Sequence, residues 1–475
     1  MKNILLTTLA FLPLKFLYGQ TFTEQKETPF NAVSNSSIAF ADIDGDKDMD
    51  VLITGDSISK LYINDAMGNY SEVAETPFIG VSNSSIAFAD IDGDKDMDVL
   101  ITGNSSDLGP VTKLYTNDGK GNYIHVTETP FIGVFASSIA FADVDGDNDF
   151  DLLITGNSSN LGPITKLYTN DGKGNYIHVT ETPFIGVFAS SIAFADIDGD
   201  EDMDLLITGD SASSPSHMKF TGISKLYIND GVGGFTEELE TLFDPVTSSS
   251  IAFADIDGDK DIDLLITGSF ISKLYTNDGN GNYAEVLETP FDGVRYSSSA
   301  FADIDSDGDM DVLITGNASK SGHNSSPIPI SKLYINDGNG FFTELDSEPF
   351  DGVFFSSIAF TDMDGDMDLD VMITGRVSFS QTITKSYFND GINTNFREEF
   401  VNNNIQVSPN PVSNELKISN ISDINHVIIY NSTGQIIKKF LVKNDEINLD
   451  VSTFPSGGYI LEFRGKNITR HKFLK

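Results

Sequence analysis

Residues 41–55 read ADIDGDKDMDVLITG and place aspartates at alternate positions, Asp42, Asp44, Asp46, Asp48 and Asp50. The same spacing returns as Asp90, Asp92, Asp94, Asp96 and Asp98, and as Asp143, Asp145, Asp147, Asp149 and Asp151. It recurs as Asp196, Asp198, Asp200, Asp202 and Asp204, and as Asp255, Asp257, Asp259, Asp261 and Asp263. Two further copies are Asp303, Asp305, Asp307, Asp309 and Asp311, then Asp362, Asp364, Asp366, Asp368 and Asp370. Five carboxylates in nine residues repel one another, so such a loop is either well solvated or wrapped round a cation. Hard oxygen donors at this density suit calcium, which takes about 6–8 of them, better than magnesium, which keeps its waters in a strict octahedron. The expected donors are the side chains at positions 1, 3, 5 and 9 and the carbonyl at position 7, with about one calcium per loop and up to seven in all. The Asp48 side chain is then surplus. Gly45 suits a sharp reversal, and Met49, apolar between two acids, is expected to turn into the core. A helix–loop–helix calcium hand needs an acid at position 12 and flanking helices, but position 12 is Ile53. A solvated acidic turn remains the alternative, and sevenfold repetition at fixed spacing weighs against it. The sixth copy departs, with Ser306 at position 4 and Gly308 at position 6.

The elements that hold these loops repeat with them. First aspartates stand 48, 53, 53, 59, 48 and 59 residues apart, a unit of about 48 residues with insertions. Residues 104–156 and 157–209 differ at five of 53 positions, so His125 and His178 are one histidine copied. The second unit shows the pattern: SSIAFAD (84–90), the acidic loop, DVLITG (98–103), TKLYTNDG (112–119) and GNYIHVTETPF (121–131). β-Branched and aromatic residues fill the runs, and Gly, Asn, Asp and Pro punctuate them, as in antiparallel strands joined by tight turns. Seven four-stranded sheets close most economically into a ring, which leaves only short protected edges. The expected fold is all-β, a seven-bladed β-propeller. TFTEQ (21–25) and NFREEF (395–400) are both candidates for the outermost strand that closes it.

Two positions vary just before each inner strand: Ser34-Asn35, Ser82-Asn83, Phe135-Ala136, Phe188-Ala189, Thr247-Ser248, Arg295-Tyr296 and Phe354-Phe355. By topology they ring the mouth of the central channel, on the face opposite the acidic loops. Phe135, Phe188, Arg295, Tyr296, Phe354 and Phe355 could stack on sugar rings or grip a peptide; packing between blades is the alternative. Catalysis has little support. The six histidines fall in different elements, and a polysaccharide lyase using Arg295 and Tyr296 is the rival reading.

The chain carries 29 basic and 71 acidic residues, net −42. Residues 401–475 hold 9 and 6, so the first 400 hold 20 and 65, net −45. Such a field repels phosphate backbones and anionic lipid, which excludes nucleic acid as a partner. The absence of cysteine excludes disulfides and thiolate chemistry. Met1–Gly19, with Lys2 before the apolar run ILLTTLAFL, reads as an export signal; it is too short and interrupted to span a membrane. A buried N-terminal element is the alternative.

From Val401 the pattern changes to a module of about 70 residues with apolar stretches at 427–430, 436–442 and 459–463, expected to be a small β-sandwich. FADIDGDKDMDVLITG followed by KLYINDG resembles the FG-GAP/VCBS repeat family, over about 20–400. That resemblance implies a calcium-loaded seven-bladed propeller like the integrin α-subunit head, in adhesins, lectin-like modules and accessory domains of polysaccharide-degrading enzymes. SPNPVSNELKIS, VIIYNSTGQII, FPSGGYILEF and TRHKFLK resemble the type IX secretion C-terminal sorting domain. This implies passage through the outer-membrane secretion machinery to a secreted or cell-surface location, with a generic carbohydrate-binding sandwich as the plain alternative. The expected role is a binding or adhesion module for an extracellular glycan or protein ligand, and the organisation is 1–19 signal, 20–400 propeller, 401–475 sorting domain.

Overall fold

DVLITG and its copies are buried along their whole length. A strand covered on both faces reads as a continuous apolar run, and here neighbouring sheets supply the cover. The computed structural model describes residues 22–211, 221–319, 326–345, 349–389 and the strand-bearing parts of 405–475. The segment 1–19, His217, His323 and 395–400 lie outside the described residues. Met1–Ile392 and Asn393–Lys475 form two compact units.

The first unit contains seven four-stranded antiparallel sheets. In the second blade Ser82–Ala89 is innermost, followed by Asp98–Ser105, Gly109–Asn117 and Tyr123–Val126. Inner strands are rich in Ser and Ala because seven of them converge on one axis, where large side chains have no room. Each core cluster is shared by two successive blades, and the last joins Val33, Ile38 and Tyr62 of the first blade to Met363 and Met372 of the seventh. The ring is therefore closed by packing.

The N-terminal candidate supplies the closing strand. Phe22–Glu24 pairs with Gln381–Asn389 in the register Phe22↔Asn389, Thr23↔Phe388, Glu24↔Tyr387. Phe22 is buried, with its ring centroid 5.0 Å from that of Phe350.

Two repeated contacts fasten blade to blade. A tyrosine on each third strand is almost fully buried and meets a phenylalanine of the preceding connector edge-on, as in Phe78–Tyr115 at 5.0 Å and 86° and Phe350–Tyr387 at 5.0 Å and 85°. Such pairs contribute about 0.5–1.5 kcal/mol beyond their burial. A threonine hydroxyl on each second strand also bonds a serine hydroxyl on the next inner strand, from Thr54–Ser84 at 2.8 Å round to Thr374–Ser36 at 2.8 Å.

In the second unit Gln406–Ser408, Glu415–Ser419 and Glu446–Asp450 form one sheet. Ile424–Asn431, Ile436–Leu441, Gly458–Gly465 and Ile468–Leu474 form another. Leu416, Ile418, Val427, Ile429, Leu461 and Phe463 share the core between them. The three apolar stretches noted in the sequence are thus three of the seven strands among the described residues.

Candidate metal centres and channel mouth

Each acidic loop joins the first strand of a blade to its second and folds on its own carboxylates. In the first loop Asp42 accepts the N–H groups of Gly45 at 2.8 Å and Lys47 at 3.1 Å, and Asp46 accepts that of Asp48 at 2.9 Å. Positions 4 and 6 both adopt the left-handed conformation: Gly45 at φ 83° and Lys47 at 78°, Gly93 at 81° and Lys95 at 76°. In the sixth loop Ser306 at 57° and Gly308 at 94° exchange the glycine between these positions. The backbone keeps its path, so the departure visible in sequence leaves the loop's conformation in place.

Position 9 is the anchor. These aspartates are at most 1% exposed. Asp98 accepts the N–H of Ile91 at 3.2 Å and that of Asn117 at 2.7 Å, tying the loop to the Asn-Asp-Gly turn of its own blade. The Asn117 side chain then donates to the Ile43 carbonyl of the preceding blade at 2.8 Å. The equivalent asparagines repeat this round the ring, including Asn64 to Met363 at 2.8 Å. Loops and turns thus share one face. Burial pushes the anchoring carboxyls up, to about 7 for Asp50, Asp98 and Asp311, about 6 for Asp151, Asp204 and Asp263, and about 8 for Asp370.

Carboxylate oxygens of positions 1, 3 and 9 lie within 4.8 Å of one another in the first four loops, as do those of Asp255, Asp257 and Asp259 in the fifth. Position 3 carries the sharper signal. One buried oxygen, Oδ1, of Asp92, Asp145, Asp198, Asp257, Asp305 and Asp364 has no hydrogen-bond partner. In the first loop the matching oxygen of Asp44 accepts the Asp46 N–H at 3.3 Å. An unpaired buried carboxylate oxygen is costly, and six of them facing neighbouring carboxylates fit a cation. Position 7 lies apart: a Cβ at Gly119 would stand 2.6 Å from the Asp96 carboxylate, so that side chain packs on the glycine of the turn.

Met49 does not enter the core. It is 38% exposed, as is Met97, and Phe150 is 44% exposed. The residue that turns inward is position 2, Ile43, at 1%. Position 8 instead offers its backbone carbonyl inward, to the Tyr70 hydroxyl at 2.9 Å in the first blade and to Tyr123 at 2.9 Å in the second.

At the opposite end of the inner strands the second residue of each variable pair is left-handed: Asn35, Asn83, Ala136, Ala189, Ser248, Tyr296 and Phe355, φ 45–52°. Their backbones bond from blade to blade, Asn35 N–H to the Phe355 carbonyl at 3.0 Å, Ser248 to Ala189 at 2.9 Å and Tyr296 to Ser248 at 3.0 Å. These residues therefore encircle the axis. The Tyr296 and Phe355 rings stack with centroids 4.0 Å apart at 30°. Arg295 lies over Phe270 at 4.6 Å and over Tyr296 at 4.9 Å. Phe354, expected to face a ligand, is 2% exposed: it packs beneath Phe355 and Phe379. Phe135 and Phe188 are half-buried and begin their inner strands in register with Asn157 and Asp210. Sequence reasoning passed over Phe270, Phe379 and Arg376, which reach this mouth from the second strands or the turns that follow them; each stands where other copies carry small or polar residues.

His125 and His178 sit on outer strands, His178 with Nε2 2.9 Å from the Lys166 ammonium. They are remote in sequence and register from the acidic loops.

A family model of the FG-GAP-like repeat matches residues 42–101 and 90–154, and one of the secretion system C-terminal sorting domain matches 406–475. A search of the curated proteins returns no match. Among solved structures, a fungal alcohol oxidase in complex with copper is 11% identical, with 96% of this chain and 99% of that one covered and a TM-score of 0.51. An Agrocybe aegerita lectin, described as recognising non-reducing terminal N-acetylglucosamine, is 16% identical, with 73% and 87% covered and a TM-score of 0.49. PorZ of Porphyromonas gingivalis, described as a surface component of the type IX secretion system, is 12% identical, with 93% and 58% covered and a TM-score of 0.40. At these identities the likeness is one of fold.

Proposed function

Since the chain carries FG-GAP-like repeats in a seven-bladed propeller and ends in a secretion system C-terminal sorting domain, we propose that it is a calcium-loaded binding module for an extracellular glycan or protein ligand. The sorting domain places the protein outside the cytoplasm, secreted or at the cell surface. No helix among the described residues is long and apolar enough to cross a membrane. The sorting domain's partner is the export machinery, and the propeller is the cargo that acts.

Calcium is the ion assigned to the carboxylate clusters, one per loop, held by positions 1, 3, 5 and 9. It serves the fold by neutralising charge. The unpaired Oδ1 atoms at position 3 support this reading, and substitution there tests it. D92N will lower by one the number of calcium ions retained after gel filtration, counted by native mass spectrometry. D96N, at position 7, will leave the count unchanged. Equal counts for both variants and the parent would remove the assignment.

The observation that carries the binding role is the Tyr296–Phe355 pair. A large aromatic residue in the left-handed region is disfavoured, at a cost of about 1–3 kcal/mol each. Five blades place Asn, Ala or Ser there instead. Strain held in a stacked aromatic pair at the channel mouth is characteristic of a ligand platform. Y296A and F355A will each lower the affinity for the best-bound glycan on an array by roughly tenfold or more, with the melting temperature held or raised. Affinity that survives both changes would move the site elsewhere. We propose binding without turnover: lyase and hydrolase assays on the same glycan are expected to yield no product, and product formation would favour the enzyme on this scaffold.

A further inference from the structure

Two arginines stand at the channel mouth of a strongly acidic protein, with Asp56 and Asp210 at the same end of the blades. Five arginines occur in the chain, Arg295, Arg376, Arg397, Arg464 and Arg470. The two in the described part of the propeller both lie against the stacked pair, Arg295 over Tyr296 at 4.9 Å and Arg376 over Phe355 at 5.8 Å. They come from different blades and different strand positions. Arg295 begins an inner strand opposite Asn317, whereas Arg376 lies on a second strand opposite Phe354.

Arg376 is fixed in place. Its Nε–H donates to the Ser34 hydroxyl at 2.8 Å, and Asp56 accepts the Ser34 N–H at 2.8 Å and lies 3.2 Å from its hydroxyl. No carboxylate among the described residues pairs with Arg376 within 4.0 Å. Five of the propeller's lysines pair on their third strands: Lys60, Lys225, Lys273, Lys332 and Lys385 each hold a carboxylate on a neighbouring strand or connector. The amino-acid choice follows the task. These five lysines serve the third strands as point charges, whereas Arg295 and Arg376 each lay a planar guanidinium on a ring, the geometry that can also present paired donors to a carboxylate.

Resting on the reading of this mouth as the ligand platform, we infer that its ligand is an acidic saccharide, a uronate-type sugar whose carboxylate is taken by Arg295 and Arg376 while its ring lies on Tyr296 and Phe355. A neutral sugar needs the aromatic platform and gains little from two guanidiniums. With seven calcium ions bound, residues 1–400 still carry a net charge of about −31, so an anion is repelled where local positive charge does not offset the field. The acidic loops lie at the other end of the inner strands, so this mouth is where such a ligand is accepted.

The test is titration calorimetry of the calcium-loaded full chain with an oligogalacturonate and with the same oligomer after reduction of its carboxyl groups to hydroxymethyl, free calcium being equal in all arms. The acidic oligomer is expected to bind at least tenfold more tightly, with affinity falling as salt is raised. The double variant R295Q/R376Q is expected to lose that advantage, so that the acidic and the reduced oligomer bind it alike and salt no longer separates them. If both oligomers bind alike, and R295Q/R376Q changes neither while F355A weakens both, the charge assignment is overturned and the platform stands. If F355A changes neither, the platform itself is wrong. Binding of an acidic peptide in place of either sugar would also overturn the inference.

Discussion

Stripping divalent cations from the protein at pH 8 will lower its melting temperature by roughly ten degrees or more, and returning calcium will restore it. Seven loops with five aspartates each hold about half of the 71 acidic residues, and the unfolded chain has no preformed site to compete for the ion. Binding free energy is therefore folding free energy. The effect also has a sign that pH reveals. Without metal, the anchoring aspartates titrate at about 6 to 8 in the folded state, above the ordinary carboxylate value of about 4. The folded state binds protons more tightly than the unfolded one, so the stability they contribute is fully present below about pH 4 and lost as pH rises through 6 to 8. The metal-free protein will grow more stable on acidification from pH 8 to 5. The loaded protein will grow less stable over the same range, as protons displace calcium. Melting curves at four pH values with and without chelator check both slopes; parallel slopes would contradict the coupling.

Removing residues 22–25 will have the second large effect. Phe22–Glu24 is the fourth strand of the seventh blade, and Gln25 continues it, its N–H donating to the Ser386 carbonyl at 3.0 Å and its side chain to the Gly68 carbonyl at 2.6 Å. Loss of this segment uncovers the Phe350–Tyr387 pair and frees the backbone edge of Gln381–Asn389. Burial of one phenylalanine side chain alone contributes about 1.5–3 kcal/mol, and a free edge recruits other chains. A drop of several degrees in melting temperature is expected, together with concentration-dependent association in sedimentation velocity. A monomer as stable as the parent would show that ring closure does not depend on this strand.

Much of the fold was legible in the sequence because the repeat compares the chain with itself seven times. Turn residues at fixed offsets mark four strands per unit, and a continuous DVLITG run announces a strand covered on both faces. What remained hidden depends on contacts between units. Whether 21–25 or 395–400 closes the ring is decided by the register against Gln381–Asn389, which no local pattern encodes. Met49 was misjudged because alternation along the acidic loop does not follow strand geometry. Left-handed residues at positions 4 and 6 rotate position 8 outward, and Ile43 takes the inner place. At the channel mouth the varying pairs could be read, but not that left-handed backbone would turn Tyr296 and Phe355 onto one another while Phe354 goes under them. Arg376 and Phe270 escaped notice because they approach from second strands and the turns that follow them, far from the pairs in sequence.

The pairing of Thr23 with Phe388 makes the propeller's closing strand, near its start in sequence, wait for nearly its last residues. Partial rings formed earlier present an unsatisfied rim, so the final step is a loop closure across almost the whole unit, late and slow by its span. An exported chain of this design stays vulnerable to proteolysis until that step is complete, then becomes resistant all at once.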